Sequence, residues 1–257
     1  MMAPVILMLA AALLAPKEDE FTRETPIGSR LSRPVDAKEF AADQARRIQA
    51  GFGECVVKKQ PELTKEFVLK PRYEKDDLRK IFPKIGDGWC LLQAADSTGS
   101  LMRFPGDTLR YTFADVLIRK EFTNGAPNIA DAGPIQHAPL VEGDYLPSPR
   151  RKASAAELEE LALNRQKALV AIYLSKFGEC VVRSNPVASY QLINSKILTP
   201  EESAAFTALA PSFGPCVEAG QSFKLDKSAV RGTIAMNLYR LAHAPRVVGN
   251  AQKGSAQ

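Results

Sequence analysis

Phe52-Gly53-Glu54-Cys55-Val56-Val57 recurs letter for letter at positions 177–182. The two copies lie 125 positions apart, and the same separation extends to the prolines that follow them, Pro61 and Pro186. In each copy the apolar residues recur every three or four positions, which is typical of one buried face of an α-helix. The sequence therefore predicts a tandem duplication of a helical unit that begins with one long helix.

Three shorter helices are predicted after the long helix in each copy. The separation between copies changes from 125 to 126 at Cys90 and Cys216, and to 121 on the fourth helix. These changes fall between helices, where insertions are tolerated. We therefore expect an all-α fold with one roughly four-helix unit at 36–123 and a second at 154–244.

The segments outside the two units lack helical periodicity. Residues 124–153 contain five prolines and three glycines, which predicts a semi-extended linker. Residues 16–35 are polar and interrupted by proline, and residues 245–257 are poor in apolar side chains. We expect a disordered lead-in at 16–35 and a disordered tail at 245–257.

The N-terminus has the pattern of a targeting segment. An uncharged apolar run of thirteen residues extends from Ala3 to Ala15. Such a run fits a signal peptide and is shorter than the roughly 20 residues that cross a bilayer. We therefore expect 1–15 to be a signal peptide, with cleavage after Ala12 or Ala15. The alternative is a short buried helix at the start of a cytosolic protein.

The overall composition excludes several classes of partner. The 34 basic and 29 acidic residues leave a net charge of +5 that is spread along the chain. Nucleic-acid-binding proteins usually cluster their basic residues on one face, so we expect no nucleic-acid partner. No second stretch has the length and apolarity of a transmembrane span, and none of the common phosphate-binding or zinc-protease motifs occurs. We therefore expect no cofactor and no metal.

The four cysteines fall into two equivalent pairs. Cys55 and Cys90 are 35 positions apart, and Cys180 and Cys216 are 36 apart. Of the three possible connectivities, duplication favours one bond within each unit, Cys55–Cys90 and Cys180–Cys216. Zinc ligands usually lie two to four residues apart within a pair, which neither pair satisfies. The alternative is four buried free thiols in a cytosolic protein.

Two glutamates and two arginines also occupy equivalent places. Glu54 and Glu179 precede the first cysteine of each pair, and Arg110 and Arg231 lie on the fourth helices. We expect a partly buried Glu–Arg ion pair in each unit, joining its first helix to its fourth. The alternative is that a glutamate acts as a general acid or base, as in glycan cleavage.

The remaining special side chains give little indication of chemistry. His137 lies in the Pro-rich linker and His243 near the C-terminus, so both are predicted to be exposed, and no catalytic triad is expected from them. Trp89 precedes Cys90 and is predicted to pack on the disulfide. A lone tryptophan in a loop is also consistent with an anchor for a partner.

The fourth helix of the second unit carries a family resemblance. Cys216, Val230-Arg231-Gly232, Ala235 and Leu238-Tyr239-Arg240 resemble a two-cysteine helical repeat found in exported bacterial proteins of unknown function. The first unit matches less well, with Tyr111 in place of glycine. The resemblance implies an exported helical repeat protein, and it implies no activity and no catalytic residues.

These observations favour a periplasmic or secreted protein without catalytic activity. We expect an envelope binding or interaction module whose partner is an envelope protein or an anionic surface, by analogy with other helical repeats. One alternative is a cell-wall glycan hydrolase that uses Glu54 or Glu179. A further alternative, a cytosolic protein with reactive thiols, applies if the N-terminal run is not an export signal.

Overall fold

The computed structural model describes residues 42–73, 75–95, 107–149, 151–217 and 226–247. The chain divides into two compact units, Met1–Ala37 and Lys38–Gln257, and every described residue belongs to the second. The predicted signal peptide, the lead-in and the tail beyond Val247 lie outside the described residues.

The described part of the chain is all-helical, as predicted. In the N-terminal half the helices are α1 (Ala42–Lys59), α2 (Pro61–Leu69), α3 (Lys75–Ile85), α4 (Gly88–Ala95) and α5 (Thr108–Glu121). In the C-terminal half they are α6 (Ala155–Ser184), α7 (Pro186–Asn194), α8 (Pro200–Leu209) and α9 (Lys227–Ala242). Short 3₁₀ turns occur at Glu142–Tyr145, Ala210–Ser212 and Gly214–Cys216. The described residues form no strands, only an isolated antiparallel bridge between Ala132 and Arg246.

Local sequence explains where these helices begin. Ser154 accepts a hydrogen bond from the backbone N–H of Glu157 at 3.2 Å and so caps α6. Pro61 and Pro186 occupy the first position of α2 and α7, where a missing N–H costs nothing. A single residue, Gln60 or Asn185, separates each proline from the end of α1 or α6, and its backbone angles are similar in both halves.

Helix α4 was not expected from the sequence. The Asp87 carboxylate accepts hydrogen bonds from the backbone N–H groups of Trp89, at 2.9 Å, and Cys90, at 3.2 Å. This cap starts a helix that places Cys90 inside the core, whereas the indole of Trp89 points outward and is 62% exposed. The prediction that Trp89 packs on the disulfide was therefore wrong, because the side chains on either side of a buried helical position turn away from it.

One hydrophobic core contains side chains from both halves, including Phe52, Phe113, Phe177 and Tyr239. Helices α5 and α9 form its centre and pack closely where Gly232 meets Tyr111. A Cβ atom at Gly232 would lie 2.6 Å from the Cβ of Tyr111. Only glycine allows that approach between the two helices.

The Pro-rich segment 124–149 packs onto this core over part of its length. Pro127, Ile129 and Ala132 are buried in it. The backbone N–H of Gly133 donates to the carbonyl of Pro245 at 2.9 Å, which connects the segment to the residues that follow α9. The segment also accepts hydrogen bonds from Arg183 on α6 and Arg240 on α9, so it packs against both helices.

Candidate functional site

The four cysteines form the two predicted pairs. The sulfur atoms of Cys55 and Cys90 are 2.08 Å apart, and those of Cys180 and Cys216 are 2.02 Å apart. The first bond joins α1 to α4, and the second joins α6 to the 3₁₀ turn at Gly214–Cys216. None of the four cysteines is free, so none offers a thiol for chemistry in this state.

The predicted ion pairs do not form as expected. Arg110 is buried, and its guanidinium binds the end of α2 instead of Glu54. The backbone oxygens that accept from it belong to Phe67 (3.2 Å), Val68 (3.0 Å), Pro71 (3.2 Å) and Lys70. Glu54 instead pairs at the surface with Arg119 at 3.1 Å.

Arg231 does the same in the C-terminal half. It donates to backbone oxygens at the end of α7, namely those of Leu192 (2.8 Å), Ile193 (2.7 Å) and Ser195 (3.1 Å). The physical reason is shared by both halves. The last carbonyls of a helix have no partner within the helix, and a guanidinium carries five N–H donors in a fixed plane that can satisfy several of them.

Arg231 also belongs to a chain of alternating charges between α1, α5, α8 and α9. Its guanidinium pairs with Asp115 at 2.7 Å and with Glu202 at 3.2 Å. Arg46 pairs with Glu202 at 2.5 Å, and Arg119 pairs with Asp115 at 3.0 Å. These arginines and Asp115 line a cavity of about 260 Å³. Each of these five side chains, the three arginines with Asp115 and Glu202, already has a partner of opposite charge, which favours a structural role.

His137 lies in an unexpected place. The sequence predicted an exposed histidine in the linker, but its ring inserts between two side chains one turn apart on α6. Nδ1 is 2.8 Å from the hydroxyl of Ser175, and Nε2 is 2.7 Å from a carboxylate oxygen of Glu179. An ionised carboxylate only accepts, so in the neutral imidazole Nε2–H donates to Glu179 and Nδ1 accepts from Ser175.

The surroundings of Glu179 keep it ionised. Burial alone would raise the pKa of its carboxyl group, but the hydrogen bonds and charges of His137 and Arg183 together outweigh that effect and lower the pKa below its usual 4.5. Arg183 donates to it at 2.8 Å. A general acid in glycan cleavage needs a raised pKa, so the environment of Glu179 does not suit that role.

Ser175 also lines a second cavity, of about 180 Å³, which we call the loop cavity. It lies between the segment 138–145, helix α6, helix α9 and the start of α5. Its walls are largely apolar and include Pro139, Ala171, Ile172 and Met236. The lining residues with polar groups are Ser175, Asp107, Tyr145 and three arginines, Arg72, Arg110 and Arg240. Polar groups that converge in an apolar pocket are the usual features of a small-molecule site.

Arg240 differs from the other two arginines of the loop cavity. Arg72 pairs with Asp144 at 2.5 Å, and Arg110 with Asp107 at 3.4 Å. Arg240 is 5% exposed, and within the described residues its one hydrogen bond goes to the carbonyl of Gln136. Burial, with the nearby charge of Arg110, lowers the pKa of its guanidinium to about 10, so it remains a cation at neutral pH.

No protein-family model, curated protein or solved structure matches this chain. None of the helices in the described ranges combines the length and apolarity required to cross a membrane. The same residues contain no group of three histidine, cysteine or acidic side chains arranged to hold a metal ion.

Proposed function

We propose that this protein is an exported, non-catalytic binding module in which two duplicated helical units share one core, and that a small ligand occupies the loop cavity. The observation that carries the binding function is the buried guanidinium of Arg240 in a largely apolar cavity, without a carboxylate partner among the described residues. Disulfides persist in oxidising compartments, which supports a periplasmic or secreted location.

Equivalent contacts in the two halves support the duplication. A Cβ atom at Gly53 would lie 2.5 Å from the side chain of Thr112, and one at Gly178 would lie 2.7 Å from that of Thr233. Glycine and threonine thus meet at the same crossing of the first and last helices of each half. Arg110 and Arg231 likewise bind the ends of equivalent helices, α2 and α7.

Filling the loop cavity tests the binding function. Ala171→Trp places a large ring in the cavity, whereas Ala162→Trp adds the same ring to an exposed position of the same helix. We expect small ligands found by saturation-transfer NMR with the unmodified protein to be lost with Ala171→Trp and retained with Ala162→Trp. If no ligand binds, or if both variants bind equally well, the loop cavity is not the site.

Export is tested separately. Intact mass and non-reducing peptide mapping of the protein expressed with its native N-terminus should show loss of the first 12 to 15 residues. The same map should contain the peptides joined by Cys55–Cys90 and Cys180–Cys216. An intact N-terminus with four reduced thiols would refute export and restore the cytosolic interpretation.

A second candidate function, hydrolysis of an acyl ester, is favoured by the contacts of His137. The Ser175 hydroxyl could attack a carbonyl carbon while its proton passes to Nδ1 of His137, which would then protonate the leaving alkoxide; water would release the acyl group. Glu179 would hold the imidazole through Nε2. We rank this function second because Ser175 lies in the middle of α6, where the backbone N–H groups are committed to the helix and cannot bind an oxyanion.

A fluorophosphonate probe decides on the second candidate. Labelling of Ser175 in the unmodified protein, abolished in Ser175→Ala and reduced in His137→Ala, would establish a nucleophilic serine. Absence of labelling in the folded protein would exclude this hydrolase mechanism and leave the binding function in place.

A further inference from the structure

We infer that the ligand of the loop cavity is a small monocarboxylate with an apolar body, whose carboxylate pairs with the guanidinium of Arg240. The ligand class rests on the proposed function, since it requires that the loop cavity be a binding site. Beyond that function, the ligand class specifies the charge, the size and the polarity of the molecule that binds.

The charge follows from the state of Arg240. A buried cation is costly unless an opposite charge and several hydrogen bonds compensate it. Here one carbonyl, that of Gln136, accepts from one nitrogen of the guanidinium, and the other two nitrogens have no hydrogen-bond partner among the described residues. The second N–H of the nitrogen that binds Gln136 lies parallel to an N–H of one of the other two nitrogens, and a carboxylate can accept this pair of bonds.

The number of charges follows from the neighbouring acids. Asp107 also lines the cavity and pairs with Arg110, while Glu179 is close enough to act on Arg240 through its charge and pairs with Arg183. The donors of Arg110 are already committed to the end of α2 and to Asp107. One guanidinium therefore remains for the ligand, and the two carboxylates nearby disfavour a second negative charge, which argues against a phosphate.

The size and polarity follow from the cavity itself. Its volume of about 180 Å³ is below the range of about 300–1,000 Å³ that is typical of sites for drug-sized ligands, which favours an organic acid of about six to ten non-hydrogen atoms. Ala171, Ile172 and Met236 supply aliphatic surface in the same cavity. Benzoate and hexanoate have this size, one charge and an apolar body.

Calorimetric titration with three probes tests the ligand class. The probes are benzoate, its neutral relative benzyl alcohol, and inorganic phosphate. We expect benzoate to bind at least about tenfold more tightly than benzyl alcohol, because a hydrogen bond between charged groups contributes more than one to a neutral group. We expect the same margin over phosphate, which has no apolar body and carries additional negative charge. We expect Arg240→Gln to weaken benzoate binding by about tenfold to a hundredfold, and Arg79→Gln, at an 80% exposed arginine, to leave it unchanged.

The outcomes separate the ligand class from the proposed function. If benzyl alcohol binds as tightly as benzoate, and Ala171→Trp abolishes both, the cavity is a binding site and the carboxylate is refuted. If phosphate binds most tightly, the monocarboxylate is likewise refuted. If none of the probes binds the unmodified protein, the ligand class is wrong, and the saturation-transfer screen decides on the function. The comparison of probes uses the unmodified protein and so holds even if Arg240→Gln fails to fold.

Discussion

Replacing Arg231 with leucine should destabilise the protein more than any surface arginine replacement. The guanidinium is buried between α5, α7, α8 and α9, where it pairs with Asp115 and Glu202 and binds three backbone oxygens at the end of α7. With leucine at this position, those backbone oxygens lose a hydrogen-bond donor. The carboxylates of Asp115 and Glu202 each lose one positively charged partner. Glu202 is 2% exposed, so water cannot compensate it well.

The expected cost follows from the loss of one partner in a buried ion pair. Such losses typically lower the free energy of unfolding by about 3–5 kcal/mol. Arg46 still pairs with Glu202, and Arg119 with Asp115, which favours the lower end of that range. For a domain of this size each kcal/mol lowers the melting temperature by about 2–4 °C, so a loss of about 3 kcal/mol corresponds to a decrease of about 6–12 °C.

Thermal denaturation followed by circular dichroism measures this effect, with Arg151→Leu as the matched control. The side chain of Arg151 is 64% exposed and pairs with Glu157 at the start of α6. Exposed pairs contribute about 0–1 kcal/mol, so its melting temperature should change by a few degrees at most. Equal melting temperatures for the two variants would refute the role assigned to Arg231.

Three further predictions concern packing, covalent closure and pH. Gly178→Ala should lower the free energy of unfolding, measured in urea, by about 1–3 kcal/mol, because the new Cβ would lie 2.9 Å from a carbonyl oxygen of α9. The control is Gly143→Ala, which has open space around it and should change the free energy of unfolding little. Replacing Cys180 and Cys216 together by serine should cost about 3.8 kcal/mol by the chain-entropy relation for a 36-residue loop, and an unchanged urea midpoint would contradict that. The lowered pKa of Glu179 stabilises the fold above pH 4.5, and this contribution is lost as the pH falls through the pKa of the folded state. Glu179→Gln should therefore flatten the acid side of the profile of stability against pH. A profile identical to that of the unmodified protein would contradict this prediction.

The features that the sequence predicted correctly depend on residues close together or on a duplicated pattern. The all-α class follows from helical periodicity, and the two cysteine pairs follow from their equal spacing. Ser154 and Thr199 cap α6 and α8, and such caps are visible in a sequence because they involve residues only three positions apart. At α9 the cap is Asp226, and Ser228, two residues on, is an equally suitable residue type, so periodicity alone does not decide between them.

The ion partners of Arg110 and Arg231 were beyond sequence reasoning for a physical reason. An acidic partner can be recognised in a sequence by its residue type. The unpaired carbonyl groups at the end of a helix cannot, because a residue of any type supplies one. The predicted ion pairs of Glu54 with Arg110 and of Glu179 with Arg231 were therefore wrong. The prediction missed that Glu54 faces outward on α1, where Arg119 is its partner.

The loop cavity was missed for a related reason. His137, Gln136 and Pro139 lie in a segment without periodicity, so nothing in the sequence indicated which helix face they meet. The segment is fixed partly by its backbone, since Arg240 binds the carbonyl of Gln136 and Arg183 binds that of Gly133 at 2.7 Å. For the contact of His137 with Ser175 and Glu179, the sequence contained one signal. Ser175 and Glu179 are four residues apart, which places both side chains on one face of a helix.

A methionine-methyl NMR titration tests the loop cavity most directly. Met236 lines the cavity, is 2% exposed, and is one of five methionines in the chain, so its ¹³C-labelled methyl signal can be assigned by its loss in Met236→Leu. We expect benzoate to shift the Met236 signal in a saturable manner and to have no such effect in Ala171→Trp. A Met236 signal that stays constant while benzoate is raised to millimolar concentration would contradict the monocarboxylate ligand assigned to this cavity.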